Sequence, residues 1–379
     1  MVLRLVNVKN ILIYVSDSLR WDYLPNKIKK IGLVFKTVAQ SIYTPVSFAS
    51  MVTGLNPPRH GVLDFSDKIP RSFFTLFDLP LEVSYWDHPH DPMYHVLNKP
   101  PRIALEDLKE PFLYIERGIW THIPYDPSLK GKIDVREYIK RTRKDYRRLK
   151  EDYRRAVERA TQEFFERINI LKRRGILDRT LVIFTSDHGE VLDEYGPMSH
   201  IFPVCPETVY VPTVFIHPEL PKGIVGKGII RHVDILPTIL HALNLKVELF
   251  VEGVNVLKND KRLLGFNYYV RRHRGNVECL SIWDEKGGYV VHRTNKLNML
   301  KTVLLDIITY THNLKPLKYF KSHIVYGSGI KDAEKLIKVF ESMPTYGYAD
   351  DIYCSPLTEE AIKLKLKFGL YKLSKSLVR

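Results

Sequence analysis

Residues 10–17 read NILIYVSD, a continuous apolar run that ends in an acidic side chain. Such a run is typical of a strand that is buried on both faces of a parallel sheet. Residues 180–188, TLVIFTSDH, repeat the pattern. The carboxyl ends of parallel strands meet at one edge of an open α/β sheet, where ligand sites form. The two runs therefore predict an α/β fold in which Asp17, Asp187 and His188 converge as candidate metal ligands.

A third stretch, YTPVSFASMVTG at residues 43–54, predicts a short helix with a defined start and end. Thr44 is a candidate cap, Pro45 suits the first helical position, and Gly54 can adopt the left-handed conformation that ends a helix. Free N–H groups and the positive end of the helix dipole favour anions at such a start. The Thr44 hydroxyl would face a bound anion, whereas the simpler interpretation is an ordinary Thr cap.

Together, and in this order, these stretches resemble the sulfatase branch of the alkaline phosphatase superfamily. The resemblance covers roughly the first 245 residues and also rests on four further segments, at residues 57–62, 112–125, 211–215 and 234–240. It implies an alkaline-phosphatase-like sandwich, with a mostly parallel sheet and helices on both faces. Residues 1–258 would form this catalytic core, and residues 259–379 a small C-terminal antiparallel α+β subdomain.

The resemblance also implies a catalytic site with one divalent ion, which could be manganese, zinc, magnesium or calcium. The expected metal ligands are Asp17, Thr44, Asp187 and His188. Thr44 would also be the nucleophile, because a bound cation lowers the pKa of its hydroxyl and polarises the substrate. His122 and His200 fall where the family places histidines on the substrate side, and they are the remaining catalytic candidates.

Some positions depart from the family pattern. Sulfatases proper carry a Cys, modified to an aldehyde hydrate, at the position of Thr44, and an Arg four residues later, where this chain has Phe48. Turnover through an aldehyde hydrate is therefore excluded, and relatives with an unmodified Thr act mostly on phosphorus compounds. Ser18 replaces a second acid, and residues 116–122 lack the Asp and His spacing of two-metal relatives. These departures favour a single metal ion.

Three functions follow as hypotheses. The leading one is a metal-dependent hydrolase of phosphate, phosphonate or sulfate esters that forms a covalent intermediate on Thr44. The alternative is a phospho-group transferase that acts on a glycan or lipid head group. An inactive binding protein is the third, and the intact set of candidate ligands argues against it. The expected substrate is a small-molecule or glycan ester, and the oligomeric state is left open.

A segment rich in Asp, His and Pro follows a strand expected near residues 83–86. Its Asp87, His88, His90 and Asp91 could in principle form a second metal site. Pro and Asp are common in turns, and two prolines make it difficult to aim all four side chains at one point. We therefore expect a turn without a second catalytic metal.

The formal net charge of +15 is concentrated along residues 133–174, whose apolar residues recur at helical spacing. A basic face of this kind can bind nucleic acid or anionic lipid, but no nucleic-acid motif accompanies it, so a solvated face is favoured. Three scattered cysteines, residues 1–9 without a signal-peptide pattern and the lack of a membrane-length apolar run predict a cytoplasmic protein.

The pattern changes after about residue 262. Residues 266–270, 278–283 and 288–292 predict antiparallel strands, with a hairpin turn at residues 284–288. Two helices are expected after them, near residues 331–341 and 359–375. These elements would make up the small C-terminal subdomain.

Overall fold

The computed structural model describes residues 5–327 except 89, 196–198, 201–202, 248, 259–263, 272–276, 311–313 and 322. A seven-stranded sheet dominates this part of the chain, in the order β3-β4-β1-β5-β6-β2-β7. Its strands are β1 (Asn10–Ser16), β2 (Leu33–Val38), β3 (Glu82–Trp86), β4 (Phe112–Gly118), β5 (Thr180–Thr185), β6 (Tyr210–Ile216) and β7 (Ile224–Arg231). Strand β6 runs antiparallel to both of its neighbours, and the other pairings are parallel.

Strand β1 lies in the middle of the parallel part and is buried along its whole length. Ile11, Ile13 and Val15 enter the hydrophobic cluster on one face of the sheet, whereas Leu12 and Tyr14 enter the cluster on the other. Because successive side chains of a strand point to opposite faces, an all-apolar strand needs cover on both sides. The predicted mostly parallel sheet with two covered faces is confirmed.

Helices supply this cover. The α-helices are α1 (Asn26–Lys29), α2 (Thr44–Thr53), α3 (Pro57–His60), α4 (Met93–Val96), α5 (Val135–Thr142), α6 (Tyr146–Arg173), α7 (Pro206–Val209), α8 (Ile235–Ala242) and α9 (Lys296–Tyr310). Short 3-10 helices span Trp21–Tyr23, Leu76–Asp78, Leu177–Arg179, His232–Asp234, Val256–Lys258 and Lys315–Tyr319. Residues of α2 and α8 pack on one face of the sheet, and those of α5 and α6 pack on the other.

The basic tract at residues 133–174 forms two helices, α5 and α6. Helix α6 starts after Asp145, whose side chain accepts a hydrogen bond from the Arg148 N–H and caps the helix. Its apolar side chains, such as Leu149 and Phe164, are buried against the sheet. Most of its arginines and lysines are exposed, as a solvated face requires. No helix in the described residues is long and apolar enough to cross a membrane.

A second, antiparallel sheet has the order β11-β10-β9-β8. It consists of β8 (Gly265–Arg271), β9 (Val277–Trp283), β10 (Gly288–His292) and β11 (His323–Tyr326). The first three of these strands match the predicted ones. Helix α9 and strand β11 were not predicted, and the helices expected near residues 331–341 and 359–375 lie outside the described residues. The boundary at residues 258 and 259 stays a prediction.

The loop before α2 joins the two sheets. Ala39 and Gln40 follow strand β2, and the Asn267 side chain donates to the Ala39 carbonyl at 2.8 Å. The Gln40 carbonyl accepts from the Tyr268 N–H at 2.8 Å, and the Gln40 side chain donates to the Phe266 carbonyl at 2.9 Å. The antiparallel sheet thus braces the loop that leads into Thr44.

Helix α2 ends where predicted but starts one residue earlier, at Thr44, which therefore does not cap it. Tyr43 occupies the cap position in an extended conformation, and no side chain makes a capping bond. The prediction of a Thr44 cap was therefore wrong, because Thr44 is already helical and its hydroxyl lies beside His188. Gly54 ends the helix at φ 69° in the left-handed region, as predicted.

Candidate active site

The ends of two adjacent parallel strands and the start of α2 meet at one point. Asp17 follows β1, and Asp187 and His188 follow β5, which pairs with β1. All three side chains are fully buried, and Thr44 is 3% exposed. One potential ligand atom from each of Asp17, Asp187 and His188 lies within 4.8 Å of the others. The structure therefore brings together the four residues that were predicted from the sequence as metal ligands.

His188 has a defined orientation in this cluster. Its Nδ1 lies 2.9 Å from the Gly189 carbonyl oxygen, which can only accept, so Nδ1 carries the proton. Nε2 then presents a lone pair toward Thr44 Oγ1 at 3.2 Å and toward Asp187 Oδ2 at 3.5 Å. Burial lowers the pKa of His188 to about 4, which keeps the ring neutral at neutral pH. A neutral imidazole with a fixed tautomer is a suitable metal ligand.

The two aspartates differ in their surroundings. Asp187 Oδ1 accepts from the backbone N–H groups of Ser18 and His188, each at 3.0 Å. Asp187 Oδ2 is buried without a hydrogen-bond partner, and burial together with the charge of Asp17 raises the pKa of Asp187 to about 7. Burial alone would also raise the pKa of Asp17, but the charges of His122 and Arg117 lower it. An orphaned carboxylate oxygen beside a second carboxylate and an imidazole fits a divalent cation.

His122 and His200 lie next to this cluster. The His200 ring centroid is 4.1 Å from that of His188 and 5.5 Å from that of His122. His122 Nδ1 donates to the Ile123 carbonyl at 2.8 Å, so its proton is also assigned. Burial lowers the pKa of His122 to about 4. Both predicted histidines are half-buried and lie beside the metal-ligand candidates, His200 next to His188 and His122 next to His200.

Glu190 lies behind His200 and was not predicted as a site residue. Its carboxylate is fully buried, and Oε1 lies 3.5 Å from His200 Nδ1. Burial by itself would lower the pKa of His200, but the Glu190 charge raises it above its ordinary value. Glu190 lies two residues after His188. The strand that places Asp187 and His188 at the site therefore also places this acid there.

Arg117 is a second residue that sequence reasoning missed. It lies at the end of β4, directly beside β1, and its guanidinium pairs with Asp17, Asp87 and Asp91. His88 and His90, from the same turn as the latter two acids, are exposed. Arg117 follows an apolar run as Asp17 does, but a basic side chain at a strand end does not indicate a metal ligand.

Lys130 and His232 donate hydrogen bonds to backbone carbonyl groups next to site residues. Lys130 Nζ donates to the Pro124 carbonyl at 2.9 Å and to the His122 carbonyl, and burial lowers its pKa to about 7. His232 Nε2 donates to the Ser186 carbonyl at 2.8 Å and so holds the backbone that precedes Asp187. Neither residue belongs to a motif that points to a site, so no sequence signal identified them.

Phe48 stands four residues after Thr44, at a position where the chain departs from the pattern of sulfatases proper. Where sulfatases proper carry an Arg, Phe48 is fully buried in the hydrophobic cluster under α2. Its ring meets Tyr85 edge to face, with centroids 6.1 Å apart. This position therefore contributes to the core instead of offering a cation to the site.

The chain is similar to known proteins of one family. The family model named Sulfatase matches residues 104–245. The chain is 32% identical over 315 residues to the low-salt glycan biosynthesis sulfotransferase Agl7 of Haloferax volcanii, across 76% of each protein.

Two solved structures share the fold. A 2-O GAG sulfatase superposes with a TM-score of 0.63 at 13% identity, over 97% of this chain and 95% of that one. The phosphonate monoester hydrolase of Agrobacterium radiobacter gives a TM-score of 0.59 at 15% identity, over 78% and 90%. On the strength of the sulfotransferase match and this fold, the chain belongs to the sulfatase branch of the alkaline phosphatase superfamily, a group of enzymes that act on sulfate or phosphate esters.

Proposed function

We propose that this protein is a metal-dependent group transferase that takes a sulfuryl or phosphoryl group from an ester onto Thr44 and passes it to a glycan hydroxyl. One observation carries the proposal. The Thr44 hydroxyl, unmodified and buried, lies 3.2 Å from His188 Nε2 at the edge of the Asp17, Asp187 and His188 cluster. A hydroxyl beside a cation site is positioned as a nucleophile.

The residues of the chain then have distinct roles. The Thr44 hydroxyl gives up its proton to water, and Oγ1 attacks the phosphorus or sulfur atom. The bond from that atom to the leaving oxygen breaks, and a covalent ester forms on Thr44. His200, whose pKa is raised, gives a proton to the leaving oxygen, and the neutral His122 removes one from the acceptor. The free N–H groups at the start of α2 hold the oxygens of the transferred group. Attack by the acceptor oxygen on the transferred atom then breaks the bond to Thr44 Oγ1, which takes up a proton from water.

The cation site is part of this proposal. A divalent ion held by Asp17, Asp187 and His188, with Thr44 as a further ligand, would supply positive charge that lowers the pKa of the Thr44 hydroxyl and polarises the transferred group. The imidazole of His188 favours manganese or zinc over magnesium or calcium. Carboxylate ligands alone would not make this distinction.

Two arguments concern the acceptor. The relative with 32% identity is named a glycan biosynthesis sulfotransferase, which favours a glycan hydroxyl. An ester on an unmodified Thr also lacks the release route of an aldehyde hydrate, so a second nucleophile must attack the transferred group itself. Water is the competing nucleophile, and hydrolysis of phosphate or phosphonate esters is the second candidate function. The fold of the phosphonate monoester hydrolase is compatible with it.

The test follows the fate of the transferred group. The protein is loaded with Mn²⁺ and given nitrophenyl sulfate or nitrophenyl phosphate, with and without an oligosaccharide, and the products are identified by mass spectrometry. We expect the oligosaccharide to gain the group and a Thr44 peptide to carry it transiently. Release of the free anion at a rate that the oligosaccharide does not change would support hydrolysis instead. Full turnover by Thr44→Ala would refute both candidates. The cytoplasmic location stays a prediction from the scattered cysteines, the pattern of residues 1–9 and the lack of a membrane-length apolar run.

A further inference from the structure

The guanidinium of Arg117 is surrounded by three carboxylates from two parts of the chain, the end of β1 and the turn after β3. Nη1 donates to Asp17 Oδ2 at 2.9 Å, Nε donates to Asp87 Oδ2 at 2.6 Å, and Nη2 donates to Asp91 Oδ2. The Arg117 side chain is 8% exposed. Three buried or half-buried acids around one point would otherwise attract a hard cation, which prefers carboxylate oxygens.

The surroundings of Arg117 are fixed by further bonds. The Tyr85 hydroxyl donates to Asp87 Oδ2 at 2.8 Å, and the Met93 N–H donates to Asp91 Oδ1 at 2.8 Å. The backbone of Arg117 is held in β4, in register with Val15 of β1. The guanidinium is therefore a tethered charge that cannot exchange with solvent cations, and each acid receives a charge-assisted hydrogen bond.

This arrangement determines which oxygen of Asp17 is available to an ion. Arg117 engages Oδ2, whereas Oδ1 lies 3.9 Å from His188 Nε2 and accepts a hydrogen bond from the Ser18 hydroxyl at 2.8 Å, which leaves it a second lone pair. We infer that Arg117 is a positioning residue that occupies the place of a second divalent ion, so that Asp17 offers one oxygen and the site takes a single ion. The inference builds on the one-ion site of the proposed function, but it concerns the metal count and not the reaction.

The experiment counts ions instead of turnover. Metal-free wild type and Arg117→Met are titrated with Mn²⁺ by calorimetry, and bound Mn²⁺ is examined by electron paramagnetic resonance. We expect one ion per chain in the wild type. In Arg117→Met the three acids lose their cation, so we expect two ions per chain and the spin coupling of neighbouring Mn²⁺ ions. Two ions in the wild type, or one ion in Arg117→Met with unchanged affinity, would overturn the inference.

Two further variants separate positioning from a general structural role. Arg117→Lys keeps the charge but loses the fork of donors, and we expect it to hold one ion about 10-fold to 100-fold more weakly, as for other changes behind a metal ligand. Arg179→Met is the matched control, since Arg179 also pairs with an acid, Glu110, at 2.9 Å but away from the site. We expect its metal count and affinity to equal those of the wild type.

A fallback applies if Arg117→Met does not fold. In the double variant Asp87→Asn with Asp91→Asn, Arg117 keeps Asp17 as its partner, and we expect one bound ion. Loss of that ion would mean that Asp87 and Asp91 are ligands, which contradicts the inference. Counting bound ions needs no substrate, so this test is independent of turnover. If Thr44→Ala turned over substrate normally, the proposed function would be refuted, but the role of Arg117 in setting the metal count would not be affected.

Discussion

At the scale of single residues, the hydroxyl of Thr44 serves the site and not the helix. It makes no capping bond, and its contact is with His188 Nε2 at 3.2 Å. We therefore expect Thr44→Ala to abolish turnover while lowering the free energy of unfolding by only about 0.5–1.5 kcal/mol, the net value of one hydrogen bond. Steady-state kinetics and urea denaturation measure the two effects.

Thr44→Ser is the matched control for this prediction. It retains a hydroxyl at the same atom and loses only a methyl group, so we expect measurable turnover that falls between those of the wild type and Thr44→Ala. A folded Thr44→Ala protein with near-native rates would show that another residue is the nucleophile.

Asp187 makes metal binding depend on pH. Burial and the charge of Asp17 raise its pKa from 3.8 to about 7 in the metal-free protein, so it is mostly protonated at pH 6 and mostly ionised at pH 8. Because the folded state binds this proton more tightly than the unfolded chain, Asp187 makes the metal-free protein less stable as pH rises from about 4 to about 7. A bound cation requires the ionised form.

We therefore expect Mn²⁺ binding to release close to one proton per ion at pH 6 and few at pH 8. Calorimetry in two buffers with different ionisation enthalpies measures this number. His188, with its pKa lowered to about 4, should contribute little. Asp187→Asn should bind Mn²⁺ more weakly and without the release at pH 6. Equal release by the wild type at both pH values would contradict the assignment.

His122 and His200 are expected to act on the substrate without holding the ion. Replacing either by Ala should lower turnover about a hundredfold, a typical contribution of general acid or base catalysis. Elemental analysis should find an unchanged metal content in both variants. The double variant His88→Ala with His90→Ala is the control, because these rings are exposed, and it should alter neither turnover nor metal content. Loss of metal from that control would indicate a binuclear site.

At the scale of elements, helix α6 is attached to strand β4 by a buried ion pair. Arg167 donates to both oxygens of Glu116, at 2.6 and 2.7 Å, and Glu116 is 3% exposed. Removing one partner leaves a buried charge uncompensated. We expect Arg167→Met to lower the free energy of unfolding by about 3 kcal/mol, which a shift of the urea midpoint would reveal.

The double variant Arg167→Met with Glu116→Gln tests the physical reason. It removes the buried charge together with its partner, and the Tyr114 hydroxyl, now 3.0 Å from Glu116 Oε2, can still donate to the amide oxygen. Most of the lost stability should return. If the double variant is as unstable as Arg167→Met, the loss comes from packing and not from the unpaired carboxylate.

Element prediction succeeded where the local pattern had one interpretation. Strands β1 and β5 are uninterrupted apolar runs, and Gly54 marks the end of α2 through its left-handed backbone. Strand β7 was missed because its first half is exposed or half-buried and interrupted by Gly226 and Gly228. Helix α9 was missed because its exposed face carries leucines such as Leu297, which obscure the amphipathic period.

At the scale of the whole molecule, the sequence predicted which strand ends lie close together. It did not predict the contacts that side chains from neighbouring strand ends make with one another. Asp17, Asp187 and His188 converge because parallel neighbours end at the same edge of the sheet. Arg117 and Asp87 were not predicted as a pair, because their contact depends on the adjacent β3 and β4 ending in register. The distance between two side chains across a sheet depends on tertiary packing, which a pattern along one segment does not contain.

The substrate preference is a property of the whole site. Thr44 cannot form an aldehyde hydrate, so any ester on it must be released by attack at the transferred atom. A phosphoryl group carries more negative charge than a sulfuryl group, and it should gain more from the cation site and the start of α2. With water as the sole acceptor, we therefore expect a higher kcat/KM for nitrophenyl phosphate than for nitrophenyl sulfate. Adding a glycan acceptor should accelerate turnover of the sulfate ester more than that of the phosphate ester, because water removes the sulfuryl group from Thr44 only slowly. A sulfate preference in water alone would show that this site hydrolyses a threonyl sulfate by a route that the unmodified hydroxyl does not explain.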